Sequence, residues 1–300
     1  MGLSALYDVA APAKLNLFLH VLGRRADGYH LLQSAFTLID WCDTLHLEVR
    51  HDGQLHRHDL SAPLPADDLC LRAARALQTA SGTALGADIS IDKQVPWGAG
   101  MGGGSSDAAS CLLALNRLWG LHWPLSRLLP LGLALGADVP FFLGGHNAWV
   151  EGIGERLTPI DLPAQWLAVV KPPVSIETRV IFSSPLLARN NEAVIVEGFL
   201  AEAGIQKLIE GYGRNVLQPP AEHECPEVAQ AARLLEARFG NSRMTGSGSA
   251  VFARAGSLID TSARPSVAMP ADLPPGWIGR MCRSLAHHPL LGWAQAEAQV

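Results

Sequence analysis

No CxxC pair occurs in the 300 residues, and the five cysteines, at 42, 70, 111, 225 and 282, stand far apart. That spacing excludes a zinc ribbon and a disulfide framework, and it suits a reducing cytoplasm. Basic residues are in the minority: 23 Lys and Arg against 28 Asp and Glu leave a net charge of −5. Without a basic stripe to neutralise phosphates, nucleic acid is excluded as a main partner. Long apolar runs are missing too. The most apolar stretch, Leu128 to Ala137, holds two glycines and a proline, and it falls short of the roughly 20 residues that cross a bilayer. No basic residue precedes Lys14, and Leu6 stands where myristoylation needs Ser or Thr, so neither a secretory signal nor a lipid anchor is expected. These absences predict a soluble cytoplasmic protein with no membrane partner, and they leave monomer and homodimer both open.

What is present is a glycine loop. Val95 to Ala109 reads VPWGAGMGGGSSDAA, with glycines at 98, 100, 102, 103 and 104 directly before two serines. Glycine admits backbone conformations closed to other residues and removes side chains that would hold an anion away from the amides. The spacing predicts a helix from Ser105 or Ser106, both good caps, whose free N–H groups and dipole favour negative charge. Such a loop suits a nucleotide triphosphate. It is not a P-loop, since Ser105 stands where Lys is required. Gly98, Gly100 and Gly103 satisfy GxGxxG, but no Asp or Glu lies between Asp107 and Asp138 to hold a ribose. No HRD or DFG triplet marks a protein kinase.

The length and 48% hydrophobic content allow two domains, with a boundary placed near 160: 1–160 and 161–300. Lys14 to Leu22 alternates as a strand, with Leu15, Leu17, Leu19 and Val21 on one face and Lys14 and Asn16 opposite. Further strands are predicted at 34–38, 44–50, 87–93, 147–151, 155–158 and 166–171, with two short strands within 243–254. Asp52-Gly53 reads as a hairpin turn. Helices are predicted at 67–79, 105–119, 125–135 and 227–239. The mixture is α+β. His51, His56 and His58 lie close in sequence but have no fourth convergent ligand; a solvated hairpin is expected there and no metal site.

Four separated segments occur in a fixed order: Pro12-Ala13-Lys14-Leu15-Asn16-Leu17, residues 96–109, Leu135-Gly136-Ala137-Asp138-Val139-Pro140, and Met244-Thr245-Gly246-Ser247-Gly248. Together they resemble the GHMP kinases. Arg25-Ala26-Asp27-Gly28-Tyr29-His30, with Asp138-Val139-Pro140 and Lys171-Pro172, is similar to the branch that phosphorylates a cytidine diphosphate substrate on the non-mevalonate route to isoprenoid precursors. The resemblance implies the two-domain GHMP kinase fold: a ribosomal protein S5 domain 2-like N-terminal domain that binds ATP, then a ferredoxin-like α/β C-terminal domain.

The reaction so implied moves the γ-phosphoryl group of ATP, with Mg2+, onto the 2-hydroxyl of an erythritol unit. Such transfers need in-line positioning, charge neutralisation and an acceptor for the hydroxyl proton. By resemblance Asp138 is that acceptor and Lys14 its cationic partner. Pro96, Gly98, Gly100, Gly102, Gly103, Gly104, Ser105 and Ser106 hold the triphosphate. Tyr29, His30 and Phe182 grip the cytosine, Asn16 meets the erythritol or phosphate portion, and Thr245 and Gly246 close the site. Lys93 is expected only to flank the nucleotide, and Asp107 to sit in the first helical turn for dipole reasons. Two departures from the family pattern stand out: Asp68 where asparagine is usual, and Val216 after Asn215 where an acid is usual. Within the family the alternative is a kinase of mevalonate, homoserine or a sugar, which has no cytosine for Tyr29, His30 and Phe182 to hold; a non-catalytic sensor keeping the nucleotide fold is the competing class, and retention of both Lys14 and Asp138 argues against it.

Overall fold

A computed structural model describes residues 2–195, 199, 202–256 and 267–294. Two long antiparallel strands, β1 (Ala5–Arg24) and β2 (His30–Arg50), form its spine. On its other edge β2 meets β4 (Gly86–Asp92) through residues 44–50 and β5 (Ala148–Gly152) through residues 32–36. The stretches 34–38 and 44–50 are therefore one strand. The short β3 (Leu55–Asp59) runs parallel to β4 and does not pair with β2, so Asp52-Gly53 turns the chain without closing a hairpin.

The glycine loop leads into α2 (Gly103–Leu118), whose Ala108, Ala109, Leu112, Leu113 and Leu115 are buried nearly all round its circumference. A helix apolar on every side belongs in a core. Here α1 (Leu69–Ser81), α3 (Leu125–Leu135), α4 (Val139–Gly144) and the β1–β2 sheet enclose it. Asp68 caps α1, accepting from the amides of Cys70 and Leu71, and pairs with Arg57 at 2.8 Å. An aspartate at this position therefore has a structural use.

After β6 (Arg156–Pro159) comes a second group of strands, β7 (Trp166–Lys171), β8 (Arg243–Met244) and β9 (Val251–Arg254). Between β7 and β8 lie α5 (Thr178–Ser183), α6 (Glu202–Glu210), α7 (Gln218–Glu224) and α8 (Pro226–Phe239). The C-terminal stretch, which carries little pattern, supplies β10 (Ile278–Leu285). This strand pairs with β7 along residues 278–283 and with β2 through Ser284 and Leu285, joining the two groups into one sheet. Among the described residues no helix is long and apolar enough to cross a membrane.

Past β10 the chain docks beside α4. The amide of His288 donates to Gly145 and its Nδ1 accepts from Leu290, while Nε2 is buried without a partner. Burial lowers the His288 pKa from 6.5 to about 4. The unfolded chain then binds the extra proton between these values, so stability falls as pH drops from about 6.5 towards 4, by up to about 1.4 kcal/mol per pH unit. His288→Gln is expected to remove that part of the acid sensitivity in thermal melts at pH 5 and 7. An unchanged pH dependence would place the cause elsewhere.

Candidate active site

Three segments converge on the mouth between the sheet and the loops that follow it. The amide of Lys14 on β1 donates to Met101 O at 2.9 Å, which clamps the glycine loop against the strand. Gly100 and Gly102 both have φ near +70°. A Cβ on Gly100 would lie 2.2 Å from Thr245 O, and one on Gly102 would meet the ring of Phe142 and the stem of Lys14. Only glycine permits this conformation and approach together. The helix begins at Gly103, with Gly102 as its cap, two residues before the serines that the sequence suggests. The amides of Gly103, Gly104 and Ser105 therefore precede the first intrahelical bond, Ser106 N to Gly102 O. Free amides at a helix start are chemically suited to an anion.

Lys14 is 3% exposed and Asn16 1%. The ammonium donates to Asn16 Oδ1 at 2.6 Å, lies 3.5 Å from Asp138 Oδ2, and sits 4.1 Å above the Phe36 ring. Burial draws the Lys14 pKa down, and the charge of Asp138 opposes it. Asp138 is the residue before α4 and makes no capping bond with its side chain, which is 31% exposed. Its carboxylate is thus left to Lys14 and to the cleft. Asn16 is held on every side: Nδ2 donates to Ser34 Oγ at 3.1 Å, and Oδ1 accepts from both Lys14 and the Thr245 hydroxyl.

Around this cluster the cleft has three connected chambers. The middle one, about 250 Å³, is lined by Lys14, Asn16, Phe36, Asp138, Gly98, Gly100, Gly102 and Gly246. Gly98, Gly100 and Gly102 also line a second, about 270 Å³, with Pro96, Trp97, Gly103, Gly104 and Ser105. The third, about 650 Å³, shares Leu32, Ile153, Thr178 and Phe182 with the first and is closed by Tyr29, His30, Arg24, Arg179 and Arg189. Here the His30 and Phe182 rings stack with centroids 4.9 Å apart. Burial lowers the His30 pKa, and the charges of Arg189 and Arg24 lower it further. A neutral imidazole with an unpartnered Nε2 is suited to an uncharged polar edge. Arg189 donates to the carbonyls of Phe182 and Ser184, which fixes the end of α5 and with it the ring.

Most of the residues singled out from sequence meet in this cleft. Two do not reach it. Ser106 is fully buried with an unpartnered hydroxyl. Thr245 is also fully buried, its hydroxyl bonded to Asn16 and Gly100 O, so it ties the 244–248 turn to the glycine loop. Asp107 lies beyond the first turn, buried against Lys93. Asn215 was singled out only for the residue after it, yet its Nδ2 donates to Met244 O and Gly246 O, shaping that turn. Nothing in sequence links positions 31 residues apart. His56 and His58 face Asp88, and no group of three or more His, Cys, Asp or Glu suited to a metal occurs among the described residues.

The fold and this cleft are those of a GHMP kinase. The family model described as GHMP kinases N terminal domain matches residues 68–146, and GHMP kinases C terminal matches 196–264. The 4-diphosphocytidyl-2-C-methyl-D-erythritol kinase of Methylibium petroleiphilum is 67% identical over 98% of this chain and all of its own length. That of Albidiferax ferrireducens is 57% identical over 98% of each. A crystal structure of 4-(cytidine 5'-diphospho)-2C-methyl-D-erythritol kinase superposes with a TM-score of 0.71 at 36% identity, covering 84% of this chain and 90% of the other. A homoserine kinase from Cytophaga hutchinsonii shares the fold at 18% identity, with a TM-score of 0.63 over 84% and 85%. The chain belongs to the 4-diphosphocytidyl-2-C-methyl-D-erythritol kinase family.

Proposed function

We infer that this chain transfers the γ-phosphoryl group of ATP to the 2-hydroxyl of 4-diphosphocytidyl-2-C-methyl-D-erythritol, a step of the non-mevalonate route to isoprenoid precursors. The observation that carries the reading is the placement of Lys14 and Asp138 in the middle chamber, between the glycine loop and the stacked His30–Phe182 pair. Magnesium bound to the nucleotide would neutralise phosphate charge. Loop amides and the start of α2 hold the phosphates. Ser105, beside the Gly136 turn that leads to Asp138, would supply an oxygen ligand to that metal.

The cytosine lies against His30, Phe182 and Tyr29, which sets the erythritol unit over Lys14 and Asp138. Asp138 takes the proton of the 2-hydroxyl as its oxygen bonds to the γ-phosphorus. The bond from that phosphorus to the β,γ-bridging oxygen breaks, and ADP leaves. Lys14 faces the Asp138 carboxylate at 3.5 Å and offsets charge on the moving group. The role of Asn16 is to aim Lys14. Residues 1–160 supply the nucleotide loop and the Lys14–Asp138 pair, and 161–300 supply Phe182 and the 244–248 turn.

Turnover with MgATP is expected with the cytidine compound and not with mevalonate, homoserine or galactose. Turnover of another acceptor would discard the pocket assignment, and ATP binding without any turnover would favour a sensor. Phe182→Ala, which removes a stacking face of about 1–3 kcal/mol, is expected to raise the KM for the cytidine compound about tenfold. The KM for ATP should stay within about twofold. Equal rises in both constants would reject Phe182 as a cytosine contact.

A further inference from the structure

Behind the glycine loop lies a charged cluster with no role in the chemistry above. Lys93 follows β4 at the loop's start, Asp43 comes from β2, and Asp107 from α2 beyond the loop's end. The Lys93 ammonium donates to Asp43 Oδ2 and, at 2.7 Å, to Asp107 Oδ2. The side chains are 9%, 0% and 3% exposed in that order. The other oxygen of Asp43 accepts from the amides of Gln94 and Val95 at 2.6 and 2.7 Å. Thus one carboxylate holds the first residues of the loop, and through one ammonium it holds the helix into which the loop runs. Lys93 is also the one charged residue in the wall of the nucleotide chamber among the described residues.

A buried ion cluster is a poor means of stabilisation, because desolvation opposes the attraction and apolar packing does as well. Its advantage is directional: the bonds fix where the two ends of the loop stand relative to the sheet. We propose that Lys93, Asp43 and Asp107 are positioning residues that hold the glycine loop in its phosphate-binding geometry.

Burial and charge oppose each other within the cluster. Burial pushes the Asp107 carboxyl up to about 8, and its Oδ1 has no donor to stabilise an anion. Burial alone would lower Lys93, but the two neighbouring carboxylates raise it. The Cys70 thiol of α1 also donates to the Asp107 backbone oxygen at 3.8 Å.

The inference rests on nucleotide binding at the loop and not on the identity of the acceptor, so MgADP is the probe. In calorimetric titration of the full chain, Asp43→Asn is expected to weaken MgADP at least about tenfold, the scale of a displaced binding group. The same variant should raise the KM for ATP by a similar factor and leave the KM for the cytidine compound within about twofold. Asp107→Asn, which keeps an oxygen to accept from the Lys93 ammonium, should bind MgADP within about threefold of the parent. A merely structural role would lower thermal stability without moving MgADP affinity, or would raise both KM values together; either result overturns the proposal. If Asp43→Asn does not fold, Lys93→Gln replaces it with the same expectation. Failure of the acceptor assignment would appear separately, as no turnover of the cytidine compound with the MgADP pattern intact.

Discussion

Asp138→Asn is expected to lower kcat by about 100-fold or more, the usual scale for loss of a general base. MgATP affinity should remain within about twofold of the parent. The carboxylate is partly exposed, faces Lys14 at 3.5 Å and makes no capping bond at the start of α4. Asparagine keeps the size and an oxygen to face the ammonium, so neither the turn nor the glycine loop should move. What it lacks is a basic oxygen to receive the hydroxyl proton. Single-turnover measurements with saturating MgATP and the cytidine compound isolate that step. Near-normal turnover would remove Asp138 from the mechanism and leave proton loss to solvent or to phosphate.

Lys14→Met is expected to cost about 10²- to 10³-fold in kcat/KM, the range found on removing a preorganised charge stabiliser. Methionine preserves the unbranched stem against Phe36 and Gly102. The variant should still fold, because Asn16 Oδ1 keeps the Thr245 hydroxyl as a donor and Asp138 reaches solvent. No buried carboxylate is left alone. Lys14→Arg should not restore activity: a Cβ on Gly102 would already come within 3.3 Å of the lysine stem, and the wider guanidinium has no room there. Activity within threefold of the parent in Lys14→Met would place the phosphoryl charge elsewhere in the cleft.

Local pattern in the chain was a good guide to elements whose burial is one-sided or short in range. The helix 125–135 and the strand 166–171 are read with their observed ends. The pair within 243–254 is read as two strands about a glycine turn, as the structure has it. Errors arose where a distant partner decides the outcome. Two short strands are one, because β2 changes partner along a single edge, from β5 to β10 to β4. β3 has no alternation that distinguishes parallel pairing with β4 from a hairpin with β2. β10 lies in a stretch exposed on much of one end, so it lacks an apolar signature and becomes a strand through the edges of β2 and β7.

The site divides in the same way. The glycine loop and the helix after it were legible in sequence, since glycine spacing acts through backbone geometry within a few residues, and the class of chemistry was legible only through the resemblance of the four ordered segments. Tertiary structure decided the rest. Lys14 meets Asp138, His30 stacks on Phe182, Asn215 shapes the 244–248 turn, and Lys93 lies between Asp43 and Asp107. Each of these joins residues from separate elements, and short-range physics says nothing about which buried lysine finds which carboxylate. That choice belongs to the packing of α2 against the sheet and to the strand from the C-terminal stretch that joins the two halves of the molecule.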